Sequence, residues 1–472
     1  MPDFDLVIRN ARAVTASDLF DCDIGVKDGR IVQLGQGLAA GAREIDAAGR
    51  HVTPGGVDAH CHLDQPEPPP IRMADGFDSG TRSAACGGTT TVIPFALQQK
   101  GQSLRDAVAD YHRRADGQAH VDYAFHLIVS DPTPTVLGEE LPALIREGYT
   151  SFKIYMTYDS LKLDDGQILD VLAVAREHGA MAMVHAENAE CIEWLSRRLE
   201  AAGRTAPRYH AHARPMLVER EATHRAIALS ELVDVPILIV HVSGQEAVEQ
   251  IRWARAHGLH VFAETCPQYL FLTAEDLGID DSYEGARCVC SPPPRGRENQ
   301  QVIWRGLADG LFTIFSSDHA PYRFEGGEGK HPGGEERPFR HIPNGIPGLE
   351  TRMALLWSEG VMAGRITPNK FVELTATNPA KAYGLHPRKG SLSVGADADL
   401  VVWDEREFVL RNTMLHHDVD YTPYEGMHLS AWPAVTLSRG EVVWDGAAFR
   451  GTRGAGRFLR CGQPTLLPRR RG

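Results

Sequence analysis

The chain has 472 residues, of which 43% are hydrophobic and 24% are charged, a composition typical of a folded enzyme and not of a disordered protein. Its 62 acidic and 49 basic residues give a formal net charge of −13, which argues against nucleic acid or an anionic membrane as a partner. The sequence shows no long apolar run and no signal-peptide pattern, so we expect neither a transmembrane helix nor a leader. Its eight scattered cysteines form no CxxC pair and are expected to be reduced core thiols of a cytoplasmic protein.

The N-terminal segment alternates short β-rich runs with turns. Lys27-Asp28-Gly29 is typical of a hairpin turn between two strands. The same pattern returns late in the chain, in residues 390–404 and 434–446. We therefore expect one discontinuous β-sandwich domain, formed by residues 1–53 plus 385–447. The early β-rich runs are 5–10, 11–15, 23–29 and 30–35.

Residues 54–384 alternate apolar strand-like runs with amphipathic helical segments, such as 167–179 and 219–234. Near-continuous apolar strands separated by helices indicate a parallel sheet that is covered on both faces. Eight such units predict an α/β fold, a (β/α)8 TIM-like barrel, with a doubly wound open sheet as the alternative. The strand candidates are 55–62, 89–96, 121–129, 150–158, 180–188, 235–244, 260–270 and 312–321.

Histidines and an aspartate close several of these strands, at the end where barrel active sites lie. His60 and His62 share one face of the first strand, because side chains alternate along a strand. His185 and His241 each follow an apolar run, and Asp318 follows the eighth strand. A single histidine of this kind is equally typical of a hydrogen-bonded core residue. Together, these nitrogen and oxygen ligands without cysteine indicate a site for zinc, manganese or another divalent ion.

Lys153 lies inside the apolar fourth strand. Such a lysine either extends its charge past the rim of the barrel, or loses the charge, or is modified. Near a cluster of cations an ammonium would be repelled. A carbamate, formed from carbon dioxide and the neutral amine, would instead supply a bridging pair of anionic oxygens.

At this point the sequence resembles a known family, the hydantoinase/dihydropyrimidinase family of cyclic amide hydrolases in the amidohydrolase superfamily. The resemblance covers the chain essentially end to end, including DYTPYEG at 420–426. It implies hydrolysis of a cyclic amide bond in five- or six-membered cyclic ureides, hydantoins or dihydropyrimidines, to N-carbamoyl amino acids. The motifs, in the family's order, are HCH (60–62), SFKIYMTY (151–158), VHAEN (184–188), HVSG (241–244), SPPPR (291–295), SSDHAP (316–321) and PNGIPG (343–348).

The resemblance also implies roles for individual residues. Two divalent metal ions, zinc with manganese as the alternative, would share a carboxylated Lys153 and a bridging hydroxide. Tyr158 would stabilise the oxyanion, and Asp318 would carry the proton to the leaving nitrogen. Ser291 and Asn344 would hydrogen-bond the cyclic amide edge through main-chain groups. The first metal would be held by His60, His62, Lys153 and Asp318, and the second by Lys153, His185 and His241.

The family resemblance further implies a homo-oligomer, a tetramer or a dimer, with the tail 448–472 lying on a neighbouring subunit. That tail is rich in glycine and arginine and has few apolar residues to form a core of its own. Its basic run Arg469, Arg470 and Arg471 is interpreted as solvated.

The chain also departs from the family's usual pattern near the expected substrate. The stretch 63–70 is rich in proline, and Tyr155 and Thr157 replace the phenylalanine and alanine that are more usual there. The substrate's ring substituent and the preferred enantiomer therefore stay open. Dihydroorotase would need an arginine beside the His-x-His pair, where this chain has Leu63-Asp64-Gln65. Allantoinase and cyclic imide hydrolase remain alternatives, whereas a non-catalytic scaffold would have lost the ligands that this chain keeps.

Overall fold

The N-terminal segment forms five strands in the computed structural model, which describes residues 3–467; Arg469, Arg470 and Arg471 lie outside the described residues. The first strand is continuous across the two runs expected at 5–10 and 11–15. Asn10 adopts a positive φ of 53° where the pairing register shifts, so it produces a bulge and not a turn. The strands are β1 Phe4–Val14, β2 Leu19–Lys27, β3 Arg30–Gly35, β4 Gly41–Asp46 and β5 His51–Pro54.

The hairpin expected at Lys27-Asp28-Gly29 is confirmed. Lys27 of β2 pairs with Arg30 of β3, and the two residues between them have positive φ values of 51° and 73°. Two consecutive positive φ angles define the turn type whose twist matches antiparallel strands, and Asp-Gly is a favoured sequence for it.

The middle of the chain supplies nine parallel strands and thirteen α-helices. The strands are β6 Gly56–Cys61, β7 Thr89–Leu97, β8 Asp122–Tyr123, β9 His126–Ile128, β10 Ser151–Tyr155, β11 Met181–His185, β12 Ile237–Ile239, β13 Val261–Thr265 and β14 Ile314–Phe315. The helices are α1 Phe77–Cys86, α2 Leu104–Ala115, α3 Leu141–Arg146, α4 Asp165–His178, α5 Ala189–Ala201, α6 Tyr209–Ala213, α7 Met216–Val233, α8 Gln245–Ala256, α9 Gln268–Phe271, α10 Arg297–Ala308, α11 Arg352–Leu356, α12 Pro368–Val372 and α13 Asn378–Ala382. Short 3₁₀ helices span Ala274–Leu277, Tyr283–Cys288, Pro332–Gly334, Phe339–His341 and Asn412–Met414, and π-helical turns span Val136–Glu140, Trp357–Met362 and Glu373–Thr377.

The barrel predicted from the sequence is confirmed, and the doubly wound alternative is excluded by strand order. Eight strands follow one another around the sheet in chain order from β6 to β14, with β8 pairing beside β7. A doubly wound sheet would reverse that order at a switch point. A parallel bridge between Cys61 and His319 brings the last strand back to the first. Every strand therefore points its C-terminal end to the same mouth.

Five more strands follow the barrel, and three of them join the N-terminal sheet. The order of that sheet is β19-β18-β15-β5-β1-β2-β3, so the antiparallel pair β5–β15 connects the two ends of the chain. Leu6 and Ile24 from the first segment share one buried core with Leu400 and Leu437 from the last. The strands are β15 Leu400–Asp404, β16 Phe408–Val409, β17 His428–Leu429, β18 Trp432–Ser438 and β19 Glu441–Trp444.

The described part of the tail packs on the barrel of its own chain. Phe458 forms a bridge with Tyr123 and lies among the rings of Phe125 and Tyr149.

Seven of the eight cysteines are buried free thiols as expected, whereas Cys191 is exposed. Among residues 3–467, none of the helices has both the length and the apolar character needed to cross a membrane.

Candidate active site

Two histidines at the end of β6 face an aspartate that follows β14. His60 Nε2 lies 3.1 Å and His62 Nε2 3.5 Å from Asp318 Oδ1. Closure of the barrel brings these side chains together, because the Asp318 amide donates a hydrogen bond to the His60 carbonyl at 2.8 Å. The three side chains form a cluster whose ligand atoms could hold one metal ion.

Lys153 of β10 points into the same cluster. Its side chain does not extend past the rim, since the residue is 2% exposed and its Nζ lies 2.8 Å from His60 Nε2. The rings of Phe95 and Tyr155 flank the amine at 4.6 and 4.8 Å. Burial lowers the pKa of Lys153, although the nearby charges of Asp318 and Glu264 oppose that effect. The neutral amine is therefore favoured more than it is in water.

His185 and His241 form the second half of the site. His185 Nδ1 and His241 Nε2 face each other at 3.0 Å, with the rings nearly perpendicular. Burial lowers the pKa of both imidazoles, as it does for His60. Neutral imidazole is the form that binds a metal ion.

Hydrogen bonds at the far side of three rings fix where the lone pairs point. His60 Nδ1 donates to Glu264 at 2.6 Å, and His185 Nε2 donates to Glu187 at 2.8 Å. His62 Nδ1 is bonded to the Gln65 side-chain oxygen at 2.8 Å. A neutral imidazole that donates from one nitrogen carries a lone pair on the other. All three lone pairs are therefore directed into the space between the strand ends, which is what metal binding requires.

The partners Glu264, Glu187 and Gln65 were missed by the sequence analysis. A signal was available for Glu187, because it lies two residues after His185. In an extended segment, side chains two residues apart point to the same side. Glu264 ends β13, the strand to which no metal ligand was assigned, but it lies 204 residues from His60. Nothing in the local sequence connects residues so far apart.

Tyr158 lies beside the second histidine pair. Its ring contacts the His185 ring edge-on, with the ring centres 5.4 Å apart, and the Arg214 guanidinium lies 5.5 Å from the Tyr158 ring centre. Burial raises the pKa of Tyr158 to about 12, although Arg214 opposes the rise. The hydroxyl therefore stays protonated at neutral pH and can donate a hydrogen bond.

Ser291 and Asn344 meet across the same mouth. The Ser291 hydroxyl donates to the Asn344 side-chain oxygen at 3.0 Å. Lys330 connects the two loops, because its buried amine donates to the carbonyls of Val289 and Pro343 at 2.8 and 2.6 Å. A cavity of about 200 Å³ opens beside Tyr158 and Asn344 and is also lined by Thr157, His210, Arg214 and Arg340.

Comparisons with known proteins agree with this geometry. A model of the amidohydrolase family matches residues 51–443. The chain is 44% identical to a D-hydantoinase of Rhizobium radiobacter over 456 residues, which is 96% of this chain and 98% of that protein. It superposes on a D-hydantoinase structure with a TM-score of 0.93 at 43% identity, covering 98% of this chain and 99% of the other. A dihydropyrimidinase structure from Brevibacillus agri NCHU1002 gives the same TM-score of 0.93 at 43% identity, with 97% and 98% of the two chains covered.

Proposed function

The chain belongs to the amidohydrolase family, and we propose that it opens five- or six-membered cyclic ureides, hydantoins and dihydropyrimidines, to N-carbamoyl amino acids. It is a cyclic amidohydrolase of the hydantoinase and dihydropyrimidinase type. Identity of 44% over nearly the whole of both chains supports the reaction class.

The observation that carries the proposal is the convergence of three imidazole lone pairs, a carboxylate and a buried lysine at the barrel mouth. This nitrogen and oxygen donor set fits a pair of divalent ions, with zinc or manganese as the candidates. When bound, such ions polarise a carbonyl and lower the pKa of water to near neutrality. His60, His62, Lys153 and Asp318 would hold one ion, and Lys153, His185 and His241 the other.

Lys153 joins both ligand sets only as a carbamate, N6-carboxylysine. The neutral amine attacks carbon dioxide, so a C–N bond forms, one C=O π bond of carbon dioxide breaks, and the nitrogen releases one proton. The product keeps the nitrogen and adds two oxygens that share one negative charge. The buried position of the amine beside the neutral imidazole of His60 supports this modification, because the charges of Asp318 and Glu264 only partly offset the effect of burial, which favours the neutral amine.

The remaining roles fall to residues that surround the substrate carbonyl. The protonated Tyr158 hydroxyl donates to the carbonyl oxygen as negative charge develops on it. Asp318 turns Oδ1 toward the histidines, and its Oδ2 takes the proton of the attacking water and passes it to the ring nitrogen that leaves. Ser291 and Asn344 hold the amide edge through main-chain groups, in loops that Lys330 keeps together.

The test is a set of initial rates on substituted hydantoins, dihydrouracil, allantoin and succinimide, with the metal content measured on the same sample. We expect ring opening of hydantoins or dihydrouracil, loss of that activity on chelation, and its return when a divalent metal is restored. Turnover of allantoin alone would identify the chain as an allantoinase instead. Turnover of succinimide alone would identify it as a cyclic imide hydrolase. A fully folded protein that binds no metal and opens no ring would contradict the enzyme function itself.

A further inference from the structure

Glu67 places a carboxylate beside the active site, on the proline-rich stretch that follows His62. The Tyr322 hydroxyl donates to Glu67 Oε1 at 2.7 Å, and among residues 3–467 no other hydrogen bond to this carboxylate is found. Burial raises the pKa of Glu67, and the hydrogen bond from Tyr322 opposes the rise. The stretch that carries Glu67 packs against the segment that follows Asp318, because the His62 amide donates to the His319 carbonyl at 2.7 Å and the Ala74 amide donates to the Pro321 carbonyl at 2.7 Å. Glu67 and Tyr322 therefore pair between the two segments that follow the candidate ligands His62 and Asp318.

The surfaces around this carboxylate are apolar and aromatic. Tyr322 packs with Met73 and Ala320 in a small buried cluster, against which Ile71 also packs. The Tyr155 ring borders the candidate metal site, with its centre 5.3 Å from that of the His185 ring. The Tyr322 ring that carries the hydroxyl bonded to Glu67 thus has apolar neighbours, which favour a hydrocarbon stem over a polar one.

The cavity on the other flank of Tyr158 offers no comparable unsatisfied charge. Arg214 is paired with the buried Glu187 at 2.7 Å. Arg340 contacts Glu193 and lies 3.0 Å from Glu200. Each cation there already has a carboxylate partner, whereas Glu67 is hydrogen-bonded only to a neutral hydroxyl. A cationic ligand would therefore form a stronger, charge-assisted hydrogen bond with Glu67.

We propose that Glu67, held by Tyr322, selects substrates whose ring substituent is a hydrocarbon stem ending in a cationic hydrogen-bond donor, an ammonium or a guanidinium. The inference rests on the proposed ring-opening function and deepens it by naming the substituent. A charge-assisted hydrogen bond in a partly buried site favours such a substrate by roughly tenfold to a hundredfold.

The experiment compares kcat/KM for two hydantoins of nearly equal shape, one with an aminobutyl substituent and one with a pentyl substituent. We expect the wild-type chain to prefer the aminobutyl compound by at least about tenfold. Glu67→Gln should bring the ratio close to one, and Glu67→Lys should shift the preference to a carboxyethyl hydantoin. The matched control is Asp64→Asn, which removes a carboxylate from the same stretch that contacts Arg114 instead; it should keep the wild-type ratio.

Metal content and the melting temperature of each variant establish that the site is intact. A wild-type ratio near one, or an undiminished ratio in Glu67→Gln, would overturn the inference while leaving the ring-opening function standing. A wild-type preference for the carboxyethyl compound would also overturn it and point to the arginine-lined flank. Absence of turnover on every hydantoin and on dihydrouracil would reject the proposed function and this inference together.

Discussion

Histidine tautomers determine what the residues of this site can bind. His60, His62 and His185 each use one ring nitrogen for a protein acceptor, so the other nitrogen is free to act as a ligand. His241 is the exception, because its Nδ1 is buried without a hydrogen-bond partner among the described residues. Its position depends more on packing, and on whatever its Nε2 binds, than that of the other three.

On the proposed assignment, His241→Ala should remove one metal ligand without unfolding the barrel. We expect metal content to fall from about two ions per chain to about one, and turnover to be lost, because a two-metal site needs both ions. Elemental analysis and initial rates measure the two effects. The control is His257→Ala, which removes an exposed histidine that follows α8. Full activity with undiminished metal in His241→Ala would end the assignment.

Lys153→Ala separates a carbamate from an ordinary buried lysine. If the carbamate bridges both ions, the variant should lose most metal and activity, and added acetate or propionate should restore part of both by occupying the vacated space. The same acids should not rescue His241→Ala, which lacks an imidazole and not a carboxylate. Near-normal rates and metal content in unsupplemented Lys153→Ala would reject the carbamate and the binuclear proposal that depends on it.

At the scale of elements, the ends of three barrel strands turn sharply to aim functional side chains. Tyr158, His241 and Asp318 have positive φ values of 68°, 40° and 49°, which residues other than glycine rarely adopt. Each follows the end of its strand by two or three residues. Such conformations cost on the order of 1–3 kcal/mol each and persist where the surrounding structure holds them, as functional sites often do.

A buried ion cluster joins the barrel to the terminal sheet. The Lys389 amine lies 2.7 Å from both Asp122, in β8, and Asp399, just before β15, and 3.0 Å from Asp397. Burial pushes the pKa of Asp397 up, but the charges of Lys389 and Arg388 more than offset it and hold that pKa below its usual value. Lys389 is the cation that all three carboxylates share, whereas Arg388 pairs only with Asp397 and Arg439 only with Asp122.

Lys389→Met should destabilise the chain by about 3–5 kcal/mol at neutral pH, because it removes the cation that pairs with the buried carboxylate of Asp399. Burial raises the pKa of Asp399 and Lys389 opposes that rise, so the pKa should be higher still in the folded variant. Protonation of Asp399 as the pH falls should therefore stabilise the variant relative to the wild type. Urea unfolding at neutral pH and near pH 5 should show the deficit shrinking in acid. The control Lys370→Met breaks a more exposed pair with Glu373 and should cost about 1 kcal/mol or less. A Lys389→Met deficit equal at both pH values would contradict the argument.

At the scale of the whole molecule, two features of the tail bear on where it lies: its packing and its charge. Phe458 of the tail packs on the barrel of the same chain. The small number of apolar residues in the tail is therefore no longer a reason to place the tail on a neighbouring subunit. However, Arg450, Arg453, Arg457 and Arg460 of the tail are exposed, on a chain whose formal net charge is −13. Charge complementarity with another acidic copy supports the proposal that this tail lies at a subunit interface of a dimer or tetramer.

The domain limits 1–53 plus 385–447, 54–384 and 448–472 likewise remain proposals, supported by the shared terminal sheet.

Truncation after Asp445 tests the interface. We expect the shortened chain to sediment as a smaller species and to melt at a lower temperature, since Phe458 and Leu459 also leave the barrel surface. A chain ending at Leu467 keeps these contacts and should retain the full-length profile. A folded truncated chain that sediments like the full-length oligomer would contradict the proposed role of the tail.

The sequence by itself determined the elements and the residue types of the site. Apolar strand periods, turn pairs such as Asp28-Gly29 and the His60-x-His62 spacing are local, so they predicted the barrel, the hairpin and the candidate ligands. Only the tertiary structure decided which ring nitrogens carry lone pairs and which side chain holds the Glu67 carboxylate. Glu264 contacts His60 across 204 residues and Tyr322 contacts Glu67 across 255. Such pairs are fixed by closure of the barrel and by loop packing, which no local pattern encodes.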